Sequence, residues 1–286
     1  MATGGGAPPT EAMRGTKGVS VIITAVIAIV LFVAGLGVGA LFLAPAPAAA
    51  GPKLLLGTNT PFPPFEYYDN NVLVGFDIEL IQTMVTRAGY TYEWRDYTDF
   101  TALLLAVSAK GVDVGVGAIT MNGATGAERN NSLDFTNSYY EADQAVLKNA
   151  ADTAIYCAAA DCTVDELNRT DLILGAQEIT TSEFWIEDNL PAVVDSSNLK
   201  LYPSVTLVLQ ALTAGTVDIV IIDKPAAEGI SAGNPSFAVG GVIQTNELYA
   251  FAVANTDPEG LVPKLNSALA SIKADGTYQR LLDKFF

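Results

Sequence analysis

Short apolar runs alternate with longer amphipathic stretches in the part of the chain that follows residue 53. The pattern predicts a buried strand, an amphipathic helix that ends at a glycine, an alternating strand, a helix that begins at an aspartate, and a third strand. These elements fall at Leu54–Asn59, Gly75–Gly89, Tyr90–Tyr97, Asp99–Gly111 and Val112–Ile119. This order predicts parallel strands in an α/β layer.

A second run of the same kind covers the middle of the chain, again with three strands separated by two helices. Its elements fall at Leu172–Gln177, Thr181–Leu190, Leu199–Pro203, Val205–Gly215 and Val217–Asp223. In both runs the last strand brings one residue, Ala118 or Asp223, to an equivalent C-terminal end. Open α/β sheets bind ligands beyond such ends. We therefore expect two lobes of one design that hold a ligand in a hinged cleft.

The second run contains a strand that leads almost directly into a capped helix. Residues Thr180, Thr181, Ser182 and Glu183 fit the S/T-x-x-E capping box. A helix that begins at a strand end can simply be stabilised by its cap, or it can bind an anion through its free N–H groups. Because capping boxes are common, the local pattern alone favours the structural interpretation.

An uncharged apolar segment precedes both runs. Val19–Leu43 contains 25 residues. As a helix it would extend about 37 Å, against a hydrocarbon core of about 30 Å. Arg14 and Lys17 lie just before it, so the positive-inside rule predicts a cytoplasmic segment over residues 1–18. Residues 44–52 form either a linker after a retained membrane anchor, which we favour, or the cleavage site of a signal helix that leaves a secreted or periplasmic chain.

Charge and composition narrow the function of the part after residue 50. The chain carries a net charge of −16, and Glu11, Arg14 and Lys17 give its first fifty residues +1, which leaves −17 for the remainder. So acidic a surface repels nucleic acid and anionic lipid. The chain contains no histidine. That absence excludes Ser-His-Asp and Cys-His catalysis, whereas catalysis by carboxylates stays open.

The only two cysteines, Cys157 and Cys162, lie five residues apart. A location outside the cytoplasm permits a disulfide between them, and two free thiols or half of a metal site are the alternatives. Zinc is disfavoured because the chain has neither a histidine nor a second cysteine pair. We expect a disulfide, no metal and no cofactor.

Several longer pieces of the sequence carry a resemblance to a known family. They are "GTNTPFPPFEYYDNNVLVGFDIELI", "DFTALLLAV", "GVDVGVGAIT", "ERNNSLDFTNSYY", "QEITTSEF", "VDIVIIDKPA" and "NSALASIKADGTYQRLLDKFF". From Lys53 to Phe286 the chain resembles the polar amino-acid-binding proteins of ABC importers, the extracellular solute-binding family with the type II periplasmic-binding fold. The resemblance implies a protein that captures a free amino acid and delivers it to a membrane permease, without chemistry.

The resemblance also implies a site for the ligand carboxylate. The family's T-x-T-x-E-R segment supplies an arginine that binds this group, which corresponds to Arg129 here. The helix N-terminus at Thr180 and Thr181 would add N–H groups and the positive end of its dipole. The segment between Thr120 and Arg129 is longer than the usual family spacing, so Thr125 is an alternative to Thr120.

The resemblance further implies a site for the ligand ammonium group at the end of the last strand of the second run. Asp223 would bind it, helped by the Thr120 hydroxyl and the Ala118 carbonyl, whereas the structural alternative makes Asp223 a helix cap. Phe62 and Phe100 match family positions that enclose the ligand side chain, and ordinary core packing is their alternative.

Asn59 indicates the class of side chain. Family members that bind lysine or arginine often have an acid at this position, and an amide cannot neutralise a buried cation. We therefore expect a neutral polar amino acid as the ligand, unless Glu66 or Asp69 reaches the pocket from the following loop.

The expected architecture is a monomer with a discontinuous first lobe. Lobe 1 is predicted over residues 53–144 and 246–286, and lobe 2 over 145–245. Two other functions stay open on the same fold. One is a ligand-sensing receptor domain, although residues 1–18 leave no room for a signalling domain. The other is a carboxylate-dependent cyclohexadienyl dehydratase, in which Glu178 would be the residue of interest.

Overall fold

The computed structural model describes residues 51–286. The cytoplasmic segment, the apolar span and most of the linker predicted above lie outside the described residues. Among the helices within 51–286, none has the length and apolar character needed to cross a membrane.

Residues 51–286 form twelve strands and ten helices. The strands are β1 Lys53–Thr58, β2 Tyr67–Asp69, β3 Val72–Val74, β4 Thr91–Asp96, β5 Val114–Val116, β6 Leu133–Phe135, β7 Tyr140–Asn149, β8 Leu174–Gln177, β9 Leu199–Tyr202, β10 Ile219–Asp223, β11 Phe237–Tyr249 and β12 Ala252–Ala254. The helices are α1 Phe76–Arg87, α2 Phe100–Ser108, α3 Gly123–Arg129, α4 Val164–Leu167, α5 Thr181–Asn189, α6 Pro191–Asp195, α7 Val205–Ala214, α8 Lys224–Gly233, α9 Leu261–Ala274 and α10 Thr277–Phe285.

The first sheet has the order β4-β1-β5-β12-β6. Strand β1 runs parallel to β4 and β5, as the alternation of strands and helices predicts, whereas β12 is antiparallel to both of its neighbours. Apolar side chains from β1, α1 and α9, such as Leu56, Ile78 and Leu265, are fully buried in one core. This sheet and its helices form lobe 1.

The second sheet has the order β11-β7-β10-β8-β9. Strand β8 is parallel to β9 and β10, and β7 is antiparallel to β10 and β11. Helix α7 packs on one face through Val208 and Leu212, and α5 packs on the other through Ile186. This sheet and its helices form lobe 2, and the two-lobed α/β architecture expected from the sequence is therefore present.

The chain passes between the two sheets twice. Residues 136–139 lead from β6 into β7, and residues 250–251 lead from β11 into β12. The two passages lie side by side, since Tyr140 pairs with Tyr249 where β7 meets β11. The exact boundary residues proposed for the lobes remain a prediction.

Some elements differ from the predicted ones. Helix α3 was not expected, and it is formed by the additional residues between Thr120 and Arg129. The helix predicted to extend to Leu190 ends at Asn189, and Pro191 begins a separate short helix, because proline suits a first helical turn. The predicted cap Asp99 does begin α2, since its carboxylate accepts the N–H of Ala102 at 2.6 Å.

Cys157 and Cys162 are joined by a disulfide with a Cα–Cα distance of 4.8 Å. The bridge packs against β11 at Gly241. A Cβ atom there would lie 2.9 Å from Cys157 Cβ and closer still to both sulfur atoms. Glycine is therefore required at this position for the bridge and the sheet to meet.

Candidate functional site

A cleft lies where the C-terminal ends of strands from both sheets face each other. It encloses about 570 Å³, counting the space open to solvent. All nine residues predicted to contact a ligand line it: Asn59, Phe62, Phe100, Ala118, Thr120, Arg129, Thr180, Thr181 and Asp223. The structure therefore brings the residues predicted from sequence together in one cleft.

Arg129 is the last residue of α3 and is 8% exposed. Its guanidinium donates to the Thr120 carbonyl at 2.9 Å and to the Ile179 carbonyl at 3.1 Å, so it contacts residues of both lobes. Its Nε has no hydrogen-bond partner within residues 51–286. Burial lowers the pKa of Arg129 to about 10, and nearby Glu247 and Asp223 oppose that decrease. The side chain therefore stays cationic at neutral pH.

The ring of Phe100 lies against this guanidinium. Its centroid is 5.4 Å from the Arg129 Cζ atom, within the range of a cation–π contact. Phe100 is also packed in the core next to Leu103. The binding and packing interpretations of this phenylalanine are thus compatible.

Helix α5 presents its N-terminus to the same cleft. Thr180 is the N-cap, and its side chain accepts the N–H of Glu183. The capping box is modified, since the Glu183 carboxylate accepts the N–H of Ile179 in place of that of Thr180. The first N–H groups of any helix lack intrahelical acceptors, and since Thr180 takes that of Glu183, those of Thr181 and Ser182 are available to an anion.

Asp223 lines the same cleft at the end of β10, and Gln144 contacts both its carboxylate and Thr181 at the start of α5. Although it occupies the N-cap position of α8, its side chain makes no capping bond in the described structure. Its carboxylate instead accepts hydrogen bonds from the Gln144 amide and, at 2.6 Å, from the Tyr249 hydroxyl. Burial and then the neighbouring Glu247 raise the pKa of Asp223 to about 7, against the lowering effect of these two bonds. Because its ionised form is disfavoured, the Asp223 carboxylate would be stabilised by an ion pair with a cation.

The backbone of Ala118 and the side chain of Thr120 shape the cleft near Asp223. Ala118 has a φ of 48°, and its N–H donates to the buried Asp77 carboxylate at 2.9 Å. The Thr120 hydroxyl donates to Glu247 at 2.7 Å. Thr120 lines the cleft, whereas Thr125, on α3, is not among its lining residues in the described chain. The geometry favours Thr120 over its alternative.

Asn59 lines the cleft with both ends of its amide engaged. Its Nδ2 donates to the Tyr97 carbonyl at 2.7 Å, and its Oδ1 accepts from Gln177 at 3.3 Å. Two acids considered from sequence lie elsewhere, since neither Asp69 nor Glu178 is among the lining residues of the described structure.

Glu66 is in the cleft, and the sequence indicated it only as an alternative. It is 1% exposed, and its Oε2 has no hydrogen-bond partner in the described part of the chain. Burial raises the pKa of Glu66 well above its usual range, with further contributions from Asp77, Asp223 and Asp96. A positive partner or hydrogen-bond donors would stabilise such a group in its ionised form.

Gly75 explains why Glu66 lies so deep. Its φ is 135°, and a Cβ there would overlap the Phe65 carbonyl. The glycine lets the start of α1 approach the loop, so that Phe76 and Asp77 donate their N–H groups to Pro64 and Phe65 at 2.9 and 3.1 Å. The sequence signal for Glu66 is therefore this glycine together with the proline-rich loop.

Comparison with known proteins gives the family. Residues 54–286 match the model of the bacterial extracellular solute-binding proteins, family 3. The chain belongs to this family. The expected family is therefore confirmed.

Individual relatives are similar to this chain in sequence or in structure. The chain is 30% identical to ABC transporter arginine-binding protein 1 of Escherichia coli K12, over 84% of this chain and 93% of the relative. It is 26% identical to the L-cystine-binding protein TcyJ of the same organism, over 82% of each. Among solved structures, an ancestral arginine-binding protein bound to arginine has a TM-score of 0.72 and 29% identity, over 83% of this chain and 99% of that one. These relatives are named as binding proteins and not as enzymes.

Proposed function

We propose that this protein binds a free L-α-amino acid between its two lobes and delivers it to the permease of an ABC importer. The observation that carries the proposal is the arrangement of the cleft. A cationic guanidinium, a helix N-terminus and the Asp223 carboxylate line the same cleft, which brings an anion site and a cation site close together. The names of the relatives support the same function.

The cleft chemistry matches the two charged groups of an amino acid. Arg129 would bind the carboxylate with its planar fork, and the N–H groups at the start of α5 would complete the anion site. Asp223, Thr120 and the Ala118 carbonyl would accept the hydrogens of the ammonium. Because these groups come from both lobes, a ligand that contacts all of them stabilises the closed arrangement.

The side-chain class depends on Asn59 and Glu66. Asn59 alone favours a neutral polar ligand, and that expectation is untested. Its amide is already engaged with Tyr97 and Gln177. Within residues 51–286, Oε2 of the buried Glu66 carboxylate has no hydrogen-bond partner, and three further acids lie nearby. We therefore propose a side chain that carries N–H donors and positive charge, as in arginine or lysine.

Calorimetry with L-arginine, L-lysine, L-glutamine, L-serine and L-cystine tests both levels of the proposal. We expect the basic amino acids to bind most tightly. Glu66→Gln should weaken arginine binding by about tenfold or more, because an ion pair in a buried site is lost. Glu141→Gln is the matched control, since Glu141 is exposed on β7 and the change removes the same charge.

Two outcomes distinguish a failure of the proposed side-chain class from a failure of the proposed transport function. If glutamine or serine binds tightly and arginine does not, the Asn59 interpretation is correct and the cationic class is rejected. If none of the amino acids binds, the transport function itself is rejected. Incubation with arogenate and prephenate, followed by product analysis, then tests the dehydratase alternative.

We also propose that the protein works as a monomer at the outer face of the membrane, attached through residues 19–43. The support is the length and lack of charge of this segment and the basic residues before it. Sedimentation of the purified chain tests the monomer.

A further inference from the structure

A network of buried side chains connects strands β7 and β11 beneath the proposed ammonium site. Gln144 is at its centre, on β7, and is fully buried. Its Nε2 donates to Asp223 and, at 2.8 Å, to Glu247 Oε1. A longer contact of 3.2 Å joins the same nitrogen to Thr181 Oγ1. Its Oε1 accepts from the Ser182 hydroxyl at 2.7 Å, which fixes the orientation of the amide.

Both carboxylate oxygens of Glu247, on β11, accept hydrogen bonds. Oε1 accepts from Gln144, and from Thr245 Oγ1 at 3.2 Å. Oε2 accepts from the Thr120 hydroxyl at 2.7 Å. The residue is 6% exposed and is not among the residues that line the cleft in the described structure. It therefore acts on a ligand only through other side chains.

The direction of the Thr120 bond matters. A hydroxyl has one hydrogen and two lone pairs. Because Glu247 takes the hydrogen of Thr120, the hydroxyl can offer only lone pairs to the cleft. An ammonium group has only hydrogens to donate, so it needs acceptors on every side. The bond to Glu247 thus sets Thr120 in the orientation that an ammonium requires.

We propose that Glu247 is a positioning residue that makes the cleft selective for an α-ammonium group, acting through Thr120 and Gln144. The proposal rests on the proposed function, since it concerns the ammonium end of the same site. Gln144 carries the second effect, because its two amide hydrogens can reach Asp223 and Glu247 together only while its oxygen faces Ser182.

Glu247→Gln separates this function from a simple structural one. A glutamine has one acceptor and one donor end, whereas Glu247 accepts on both sides. If its NH2 group faces Thr120, the hydroxyl hydrogen must turn toward the ammonium. If its NH2 group faces Gln144, that amide must rotate and withdraw its hydrogen bond from Asp223. Either arrangement replaces one favourable contact with a clash of donors.

The test compares L-arginine with 5-guanidinopentanoate, which is arginine without its α-amino group. Affinities of the wild type, Glu247→Gln, Thr120→Val and the double variant are measured by calorimetry, with Glu141→Gln as the exposed control of equal charge change. We expect Glu247→Gln and Thr120→Val each to weaken arginine about tenfold, and to leave 5-guanidinopentanoate within about twofold. The double variant should bind arginine about as well as Glu247→Gln alone, because the effect of Thr120→Val is already contained in the effect of that change.

Three results would overturn the proposal. An equal loss for both ligands would indicate a general role in closing or stabilising the lobes. Additive losses in the double variant would show that Glu247 does not act through Thr120. An equal effect of Glu141→Gln would indicate long-range electrostatics. If Glu247→Gln does not fold, Glu247→Asp is used, because the shorter side chain keeps the charge but cannot reach both partners.

The affinities of the wild type decide which pair of ligands is compared. If the wild type does not bind arginine but binds L-glutamine, the cationic class fails, and the comparison is made between glutamine and 5-amino-5-oxopentanoate. If the wild type binds no amino acid, the proposed function and the positioning role fall together.

Discussion

Replacing Arg129 with lysine tests the carboxylate site most directly. Arg129 is cationic at neutral pH, since its pKa is about 10, and lysine supplies the same formal charge. The planar fork is lost, because a lysine ammonium is a compact charge on a flexible stem. Lysine also cannot reproduce the pair of bonds to the carbonyls of Thr120 and Ile179 that hold the side chain across the cleft.

The size of the effect follows from the number of bonds lost. A two-point contact with the ligand carboxylate becomes a one-point contact, so one charge-assisted hydrogen bond disappears, worth about 1.5–3 kcal/mol. That corresponds to a loss of affinity of about tenfold to 150-fold. Arg129→Ala removes both the contact and the charge, and we expect it to abolish most binding.

Titration calorimetry with the tightest-binding amino acid measures the change. Arg95→Lys is the control, because Arg95 is exposed on β4 and keeps its charge in the variant. The melting temperature of each protein without ligand shows whether the fold is intact. If Arg129→Lys binds within about threefold of the wild type, Arg129 does not form the proposed fork and the carboxylate site is wrong.

Three further predictions concern pH, packing and attachment. Because the pKa of Asp223 is raised from 3.8 to about 7, its contribution to the stability of the ligand-free protein is complete below about pH 4 and is lost as the pH rises through about 7. An ammonium ligand stabilises the ionised form, so the thermal shift produced by L-arginine should be larger at about pH 8 than at about pH 5, and a shift that falls with pH would contradict this. Gly241→Ala should lower the melting temperature by several degrees because its Cβ meets the disulfide, whereas Gly233→Ala, where a Cβ meets nothing within 4 Å, should not. Expressed as the full chain, the protein should sediment with membranes and be accessible to protease from outside; a soluble mature form that begins near Gly51 would show that the segment is cleaved.

The sequence predicted the parts of the site that depend on local order along the chain. Ala118 and Asp223 stand at strand ends, and Thr180 begins a helix, so hydrophobic periodicity and one capping box place them. Arg129 required the family resemblance, because the unexpected helix α3 changes the spacing before it.

The residues that escaped prediction depend on contacts between distant segments. Gln144 and Glu247 are about a hundred residues apart in sequence, and each lies within an ordinary strand pattern. Nothing in those patterns reveals that the two side chains meet beneath Thr120. Glu66 is similar, because its burial depends on the close approach of α1 that Gly75 allows. Polar groups buried by tertiary packing leave little trace in local periodicity.

The position of β12 in the first sheet has a consequence for biosynthesis. Although β5 and β6 are made early, the strand that separates them consists of residues Ala252–Ala254, close to the end of the chain. Until that strand emerges, both neighbours keep an open edge, whereas the second sheet uses only residues 140–249 and can be completed first. A polypeptide that leaves the ribosome from its N-terminus therefore begins lobe 1 first and completes it last. On the proposed export of the chain, this order keeps the first sheet incomplete until almost the whole sequence has been made.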